Sequence, residues 1–398
     1  MMKKTVKDVS FKNKTALIRA DFNVPIKDGV ITSDKRIKES LPTIQYVLND
    51  GGKVILCSHL GRPKDGPDKE FSLEPVAKRL SELLGIKVLF ANDDKVTGSI
   101  ADEMVKEFKN SDDKVLLLQN TRFRKEETKN AGDFAKQLAS YADIFVNDAF
   151  GTAHRAHSSN VGVCAYLPGV LGLLMEKEVT MLSKVMDNPK KPIVAIFGGA
   201  KVSDKIGIIT NFINKVDTIL IGGAMMFTFL KAQGLQTGKS LTEEDKIDVA
   251  KEILAKAKEA GIKFLLPVDV KTAKAYEDTK DFKIKKINNI DSDEMGLDIG
   301  PDTMDLFAGE IKKAATVVWN GPMGVFEFEN FAQGTLKVAQ AIADNKDCFS
   351  VVGGGDSASA VKKLGFEKNI SHISTGGGAS LEFLEGITLP GIEAMSDK

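Results

Sequence analysis

Residues 193–205 read Ile-Val-Ala-Ile-Phe-Gly-Gly-Ala-Lys-Val-Ser-Asp-Lys. Five apolar residues end abruptly in a glycine pair. An unbroken apolar run, without the alternation of a half-solvated strand, is what a strand covered on both faces requires. Glycine directly after it allows a tight turn and a close approach of backbone N–H groups to a ligand. The same unit recurs along the second half. Thr218–Ile221 runs into Gly222-Gly223, Thr316–Trp319 into Asn320-Gly321-Pro322-Met323-Gly324, Phe349–Val352 into Gly353-Gly354-Gly355-Asp356-Ser357, and His372–Ser374 into Thr375-Gly376-Gly377-Gly378. A further run lies at Phe264–Leu266. The first half has similar runs at Ala16–Ala20, Val54–Cys57, Val88–Phe90, Val115–Leu118 and Ile144–Val146. Helical patterns such as Ser72–Leu84, Asp133–Ala142, Glu243–Ala260 and Phe331–Ala343 fall between the runs. Strand and helix alternating over both halves predict an α/β chain with two doubly wound, Rossmann-like parallel-sheet domains.

The halves meet near residues 167–189. Leu171, Met175, Val179, Leu182 and Met186 share one helix face, and Asp187-Asn188-Pro189 stops the helix. The expected division is a first domain over 1–170, a joining helix over 171–188 and a second domain over 189–380, with a cleft between the domains.

Composition narrows the function. Lysine plus arginine and aspartate plus glutamate each number 55 in the 398 residues, so the bulk charge gives no sign of a nucleic-acid partner. Cys57, Cys164 and Cys348 are far apart and form no Cys-x-x-Cys, which argues against a disulfide framework or zinc ribbon and fits a reducing, cytoplasmic setting. The start of the chain is too charged for a signal-peptide core. The longest uncharged stretch, between Arg155 and Glu176, contains Pro168 and several glycines and does not read as a membrane span.

Ligands of open parallel sheets bind beyond the carboxyl ends of the strands. In the first half those ends carry Asp21-Phe22-Asn23, Ser58-His59-Leu60-Gly61-Arg62, Asn120-Thr121-Arg122, and Asn147-Asp148 followed by Gly151, His154, Arg155 and His157. His59, Arg62, Arg122, His154 and Arg155, from three loops, should converge on one rim. Arginine suits bidentate capture of phosphate or carboxylate. Each residue alone also reads as a solvated loop charge; the joint pattern favours an anion site. Arg36 does not end a strand, so its position alone does not place it there.

In the second half the glycine turns look like a nucleotide bed, or else like plain tight turns. Lys201 and Lys205 stand four apart at an expected helix start, where a bound polyphosphate would relieve their conflict with the helix dipole. The alternative is two surface lysines. Asp356 is either an N-cap or a carboxylate for a magnesium–nucleotide complex. Glu327 is a candidate acceptor for ribose hydroxyls.

Other motifs mislead or are missing. Gly234-Leu235-Gln236-Thr237-Gly238-Lys239-Ser240 resembles a P-loop, but Gln233 occupies the first glycine position, and it reads as a surface loop. No G-x-G-x-x-G, G-x-S-x-G or H-E-x-x-H occurs. His372, in an apolar run, reads as structural. An anion-binding rim and a phosphate bed together suit phosphoryl transfer from a nucleotide to a small anionic acceptor, a reaction governed by positioning and charge. Closure of the domains would exclude water. A nicotinamide-dependent dehydrogenase would need the missing glycine fingerprint. A non-catalytic protein binding phosphorylated metabolites is the other alternative.

Five stretches occur in order: Arg19-Ala20-Asp21-Phe22-Asn23-Val24-Pro25, Ser58-His59-Leu60-Gly61-Arg62-Pro63, Gly199-Ala200-Lys201-Val202-Ser203-Asp204-Lys205, Trp319-Asn320-Gly321-Pro322-Met323-Gly324 and Gly353-Gly354-Gly355-Asp356-Ser357. By these motifs the sequence resembles the phosphoglycerate kinases over essentially its whole length. The resemblance implies reversible phosphoryl transfer between 1,3-bisphosphoglycerate and ADP, giving 3-phosphoglycerate and ATP with magnesium, in a monomer. It implies that Asp21, Phe22, Asn23, Arg36, His59, Leu60, Gly61, Arg62, Arg122 and Arg155 hold the phosphoglycerate. For the nucleotide it implies Gly199, Ala200, Lys201, Lys205, Gly222, Gly223, Asn320, Pro322, Glu327, Gly354, Gly355, Asp356 and Ser357, with Asp356 at the metal. Arg36, Lys201, Gly377 and Gly378 would stabilise the transferring phosphoryl group. Ser357 stands where many members have threonine and keeps the hydroxyl. The C-terminal segment 381–398 is expected to pack on the first domain.

Overall fold

The apolar runs pair as parallel strands in two separate six-stranded sheets. The computed structural model describes residues 2–64 and 66–398. One unit extends to Val179 and takes in Thr388–Lys398; the other is Thr180–Ile387.

In the first unit the strands lie in the spatial order Val88–Ala91, Val115–Leu118, Lys53–Cys57, Thr15–Arg19, Ile144–Asn147 and Gly169–Leu171. All neighbours are parallel, with Ala16 opposite both Val54 and Ile144. All five residues of Thr15–Arg19 are buried, as the unbroken apolar pattern requires. The chain winds outward in opposite directions from Thr15–Arg19 and Ile144–Asn147. That is the switch point at which such sheets bind ligands. Helices follow their sequence signals. Glu74–Leu84 has proline in its first turn, buries Val76, Ala77 and Leu80, and ends at Gly85 with φ +67°.

In the second unit the order is Lys263–Leu265, Thr218–Ile221, Ile193–Phe197, Thr316–Asn320, Phe349–Gly353 and His372–Ile373, again parallel throughout. The switch point lies between Ile193–Phe197 and Thr316–Asn320. The pattern at Glu243–Ala260 resolves into a short 3-10 turn, Glu244–Lys246, and the helix Ile247–Glu259. The helix Leu173–Met186 runs through the unit boundary after Val179.

Three features are not anticipated by the strand pattern: the edge strand Gly169–Leu171, which takes Leu171 out of the expected joining helix; the short hairpin of Ile26–Lys27 and Val30–Ile31; and a further sheet in the second unit. Lys283–Lys286, Asp269–Ala273 and Met295–Ile299 form an antiparallel sheet in the second unit. Asp269–Ala273 is buried along its length despite two charges. The charges are satisfied locally. Asp269 accepts from Thr303 Oγ1 at 2.6 Å and from the Asp302 and Thr303 N–H groups at the start of Pro301–Lys313, and Lys271 Nζ donates to the Asn330 carbonyl at 3.1 Å.

The returning C-terminal segment starts at Thr388, later than the expected 381. Helix Gly378–Leu384 stays in the second unit, where Asn211 Nδ2 donates to the Leu384 carbonyl at 2.6 Å. Beyond it, Gly391 N–H donates to Ala153, Ser396 N–H to Gly169, and Asn147 Nδ2 to Gly391 at 3.0 Å. The near-miss P-loop is a loop between elements. It is anchored by Lys239 N–H on the Glu294 carbonyl and by Gly296 N–H on Ser240 Oγ at 2.9 Å. Among the described residues no helix is long and apolar enough to cross a membrane.

Candidate active site

The first unit gathers its polar residues beyond the switch point. Asp21 lies in the turn after Thr15–Arg19, and its carboxylate is ion-paired with Arg36. Arg36 stands at the start of the helix Lys35–Asn49, which explains why strand-end reasoning left it unplaced. Asp21 Oδ1 also accepts from Asn23 N–H at 3.2 Å. Burial pushes the Asp21 carboxyl up; His59 first, then Arg36, Arg19 and the Asn23 N–H pull it down, and the balance lies below the usual carboxylate range.

Asn23 Oδ1 accepts from Gly61 N–H at 2.9 Å, and the Gly61 carbonyl accepts from Arg122 Nη1 at 2.7 Å. Gly61 has φ +59°, and a β-carbon there would collide with the Phe71 ring. Asn120 locks the same loop, accepting from Leu60 N–H and donating to the Leu60 and Phe71 carbonyls. Thus Asp21, Asn23, Gly61, Arg36 and Arg122 are joined through contacts, whereas Arg62 is exposed. Arg155 Nε donates to His154 Nε2 at 3.2 Å. Burial, then the charges of Arg19 and Arg155, brings Arg122 down to about 10, and its buried Nε has no partner. Crowded guanidinium groups of this kind favour an anion.

Two expectations for this unit change. His59 is not a cation of the rim: burial, then the charge of Arg19, pushes it well below the usual histidine value. His157 falls to about 4 for the same reasons, with Arg122 and Arg155 adding to Arg19. Phe22 and Leu60 are core side chains, 0% and 3% exposed, and only their backbone lines the loops. Phe22 N–H donates to Ser58 Oγ at 2.8 Å.

In the second unit three glycine turns interlock. Gly198 N–H donates to the Asn320 carbonyl, Gly199 to Pro322 and Gly223 to Met323, each at 2.9 Å. Gly222 N–H donates to Phe197. A β-carbon at Gly198, Gly223 or Gly321 would strike the backbone of a neighbouring turn. So Gly199, Gly222, Gly223 and Pro322 form the floor by close backbone packing, and the amides of those glycines are already paired. This corrects the picture of them as open donors.

The lysine pair also differs from expectation. The helix begins at Ile206, with Lys205 at its N-cap, and Lys201 lies in the preceding turn beside exposed Ala200. The turn stays non-helical because Ser203 is held by Glu243, through N–H to Oε2 at 3.0 Å and Oγ to Oε1 at 2.6 Å. Lys201 is exposed. Burial lowers Lys205 below an ordinary lysine, against the pull of Asp204, Asp356 and Glu385.

Asn320 is 1% exposed, and both its Oδ1 and its Nδ2 are buried without a partner. It lies under the Gly353-Gly354 turn. A β-carbon at Gly354, where φ is +87°, would stand 2.8 Å from Asn320 Nδ2. A buried amide with no partner costs free energy until a ligand meets it. Gly354 is the N-cap of the helix Gly355–Lys363, so Asp356 is not the cap but an exposed first-turn carboxylate. Ser357 is buried, and its hydroxyl accepts from Gly321 N–H at 2.6 Å, tying helix to turn. Glu327 is exposed, and Gly377-Gly378 opens the helix Gly378–Leu384. His372 is buried in its strand, as a structural residue would be.

Among the described residues no group of three or more His, Cys, Asp or Glu could hold a metal ion by itself. A magnesium ion carried by nucleotide phosphates needs only one or two carboxylates, and exposed Asp356 at a helix start fits that demand. Residues that sequence reasoning missed are Arg19, Glu127 and Ser159; Asn120 and Gly151 stood among the strand-end residues but were given no role. The one signal among the missed residues was Arg19, a charge closing an apolar strand.

The phosphoglycerate kinase family profile matches residues 6–387. A phosphoglycerate kinase of Clostridium perfringens is 59% identical over 397 residues, covering 100% of this chain and 99% of its own. One from Dictyoglomus turgidum is 56% identical over 402 residues, covering 100% of both. Among solved structures, phosphoglycerate kinase from Coxiella burnetii matches with TM-score 0.90 at 43% identity, over 99% of this chain and 98% of that one. The enzyme from Pyrococcus horikoshii gives TM-score 0.83 at 36% identity, with 98% coverage of each. With its two parallel sheets and these full-length matches, the chain belongs to the phosphoglycerate kinase family.

Proposed function

We propose that the two units divide the family's reaction, the reversible transfer of a phosphoryl group between 1,3-bisphosphoglycerate and ADP, so that the first holds the acid and the second the nucleotide. The crowded guanidinium group of Arg122, with neighbouring Arg19 and Arg155 and an unpartnered Nε, carries this reading. Arg36, Arg62, Arg122 and Arg155 supply charge for phosphate and carboxylate; Asp21 aims Arg36; Asn23 and Gly61 set the loop; His59 adds an N–H. In the second unit the side-chain amide of Asn320 and exposed Glu327 are the groups for the nucleoside, over the floor of Gly199, Ala200, Gly222, Gly223 and Pro322. Lys201, Lys205 and the Gly354–Ser357 turn face its phosphates. Asp356 would hold magnesium, which when bound neutralises phosphate charge.

Catalysis is then positioning and charge stabilisation. Arg36, Lys201 and the Gly377-Gly378 backbone are assigned to the oxygens of the transferring group. An in-line transfer requires the two ligands to meet, so closure of the units around them belongs to the proposal. The family match sets aside the dehydrogenase alternative. Dispersed free cysteines support a cytoplasmic protein, and the resemblance supports a monomer. The test is a coupled assay for ATP formation from 1,3-bisphosphoglycerate and ADP. Turnover should depend on magnesium; turnover unchanged after chelation would remove the metal from the proposal.

A further inference from the structure

We propose that Arg19 is a positioning residue that fixes His59 as a neutral Nε2–H donor, and that Glu127 is its buried counter-ion, linked to it through Ser159. Arg19 closes the first strand and is 1% exposed; Glu127 is fully buried. Charges so placed are retained only when paired and hydrogen-bonded. Arg19 Nε donates to Ser159 Oγ at 2.8 Å, and Nη1 donates to the Ala20 carbonyl. Nη2 lies 3.1 Å from His59 Nδ1. Ser159 in turn gives Glu127 two bonds, Oγ to Oε1 at 2.5 Å and N–H to Oε2 at 3.0 Å.

Donor inventory decides the direction of every link. A guanidinium has hydrogens to give and no lone pair to receive. Ser159 Oγ must therefore accept from Arg19, and its single hydrogen goes to Glu127. By the same rule His59 Nδ1 must accept, so the ring hydrogen sits on Nε2. The groups facing His59 are Arg19 from the strand, Asp21 from the turn after it, Arg36 from the first helix and Arg122 from the 3-10 turn Thr121–Phe123. Three cations against one carboxylate oppose a second ring proton, and Nδ1 has no room for one while Arg19 points at it. His59 thus offers an N–H to the acid without adding charge, and that contribution should be independent of pH.

The inference rests on the assignment of the acid to the first unit. Its test reads His59 without ligand, so the two can fail separately. The probe is the long-range proton–nitrogen spectrum of the full-length protein labelled with 15N-histidine, with His59→Gln assigning the signal. Between about pH 5 and 8 the ring should remain the neutral Nε2–H form; a ring that titrates near ~6.5, or carries its hydrogen on Nδ1, overturns the proposal. Arg19→Met with Glu127→Gln removes both buried charges together. Burial, Arg36 and Arg122 would still keep the ring neutral, but nothing would fix its tautomer: the His59 nitrogen signals should shift towards a mixture of the two neutral forms, and the KM for 3-phosphoglycerate should rise by about ten-fold or more, while the KM for ATP moves less than about two-fold. A folded double variant with unchanged His59 signals overturns the role of Arg19. If that variant does not fold, the milder Ser159→Ala replaces it: shifted His59 nitrogen signals support the relay, and unshifted ones overturn it.

Discussion

Arg36 and Asp21 form an ion pair that Gly151 closes from a third segment. A β-carbon on Gly151 would stand 2.7 Å from Asp21 Oδ2. The helix start, the turn after the first strand and the loop after the fifth therefore meet at one carboxylate. If Arg36 grips the acid, Arg36→Ala should weaken 3-phosphoglycerate binding by roughly ten- to hundred-fold, the cost of a charge-assisted contact, with turnover falling as well. Calorimetry should find ADP affinity unchanged; comparable losses for both ligands would contradict the assignment.

Gly151→Ala tests the same pair from its other side. The added methyl must displace Asp21, and Arg36 with it. We expect a destabilisation of about 1–3 kcal/mol, as for overpacking, and a raised KM for the acid. A variant with normal Tm and normal KM would show that the pair has room to move.

Asn320 separates binding from stability. Its amide is buried with both polar atoms unpartnered, so Asn320→Ala removes an unmet cost from the free protein. Thermal unfolding without ligand should shift by no more than about 1 kcal/mol, in either direction. ADP affinity should fall by roughly ten-fold. Unchanged ADP affinity would remove Asn320 from the nucleotide site.

Lys201, exposed in a non-helical turn, is assigned to charge that develops during transfer. Lys201→Ala should lower kcat by roughly 10²–10³-fold, as for loss of one preorganised donor, while ADP affinity changes less than ten-fold. A normal kcat would exclude it from the mechanism.

Asp148 gives a pH test of the fold. Its Oδ1 accepts from Leu174 N–H at 2.9 Å and Met175 N–H at 3.3 Å, while Oδ2 is buried without a partner. Burial pushes the carboxyl up to about 7, against the pull of Thr43 and of those two N–H groups. The folded chain then holds this proton more tightly than the unfolded chain, where aspartate ionises near ~3.9. The group's stabilisation is complete below about pH 4, declines as pH rises to about 7, and is lost above that. Asp148→Asn should therefore raise Tm relative to wild type more at pH 8 than at pH 5. An equal shift at both would contradict the raised value.

Both parallel sheets were legible, apart from the edge strand Gly169–Leu171, because Ile193–Phe197, Val54–Cys57 and their counterparts are apolar without a break. Asp269–Ala273 was not, because its charges look solvent-facing until Thr303 and the Asn330 carbonyl are seen to satisfy them. Strand ends pointed to Asp21, Arg122 and Asn320. They could not place Arg36, which joins Asp21 only through the fold. Nor could they tell open glycine amides from closed ones: Gly199 and Gly223 look like donors in sequence, yet the Pro322 and Met323 carbonyls already occupy them. Glu127 and Ser159 carried no signal, since buried partners of a buried arginine resemble any loop residues.

The division of ligands between the two units is tested most directly by calorimetry of two variants, each against both ligands. Arg36→Ala should lose 3-phosphoglycerate and keep ADP, and Asn320→Ala should do the reverse. If either variant loses both ligands equally while folded, the assignment of acid to one unit and nucleotide to the other is wrong.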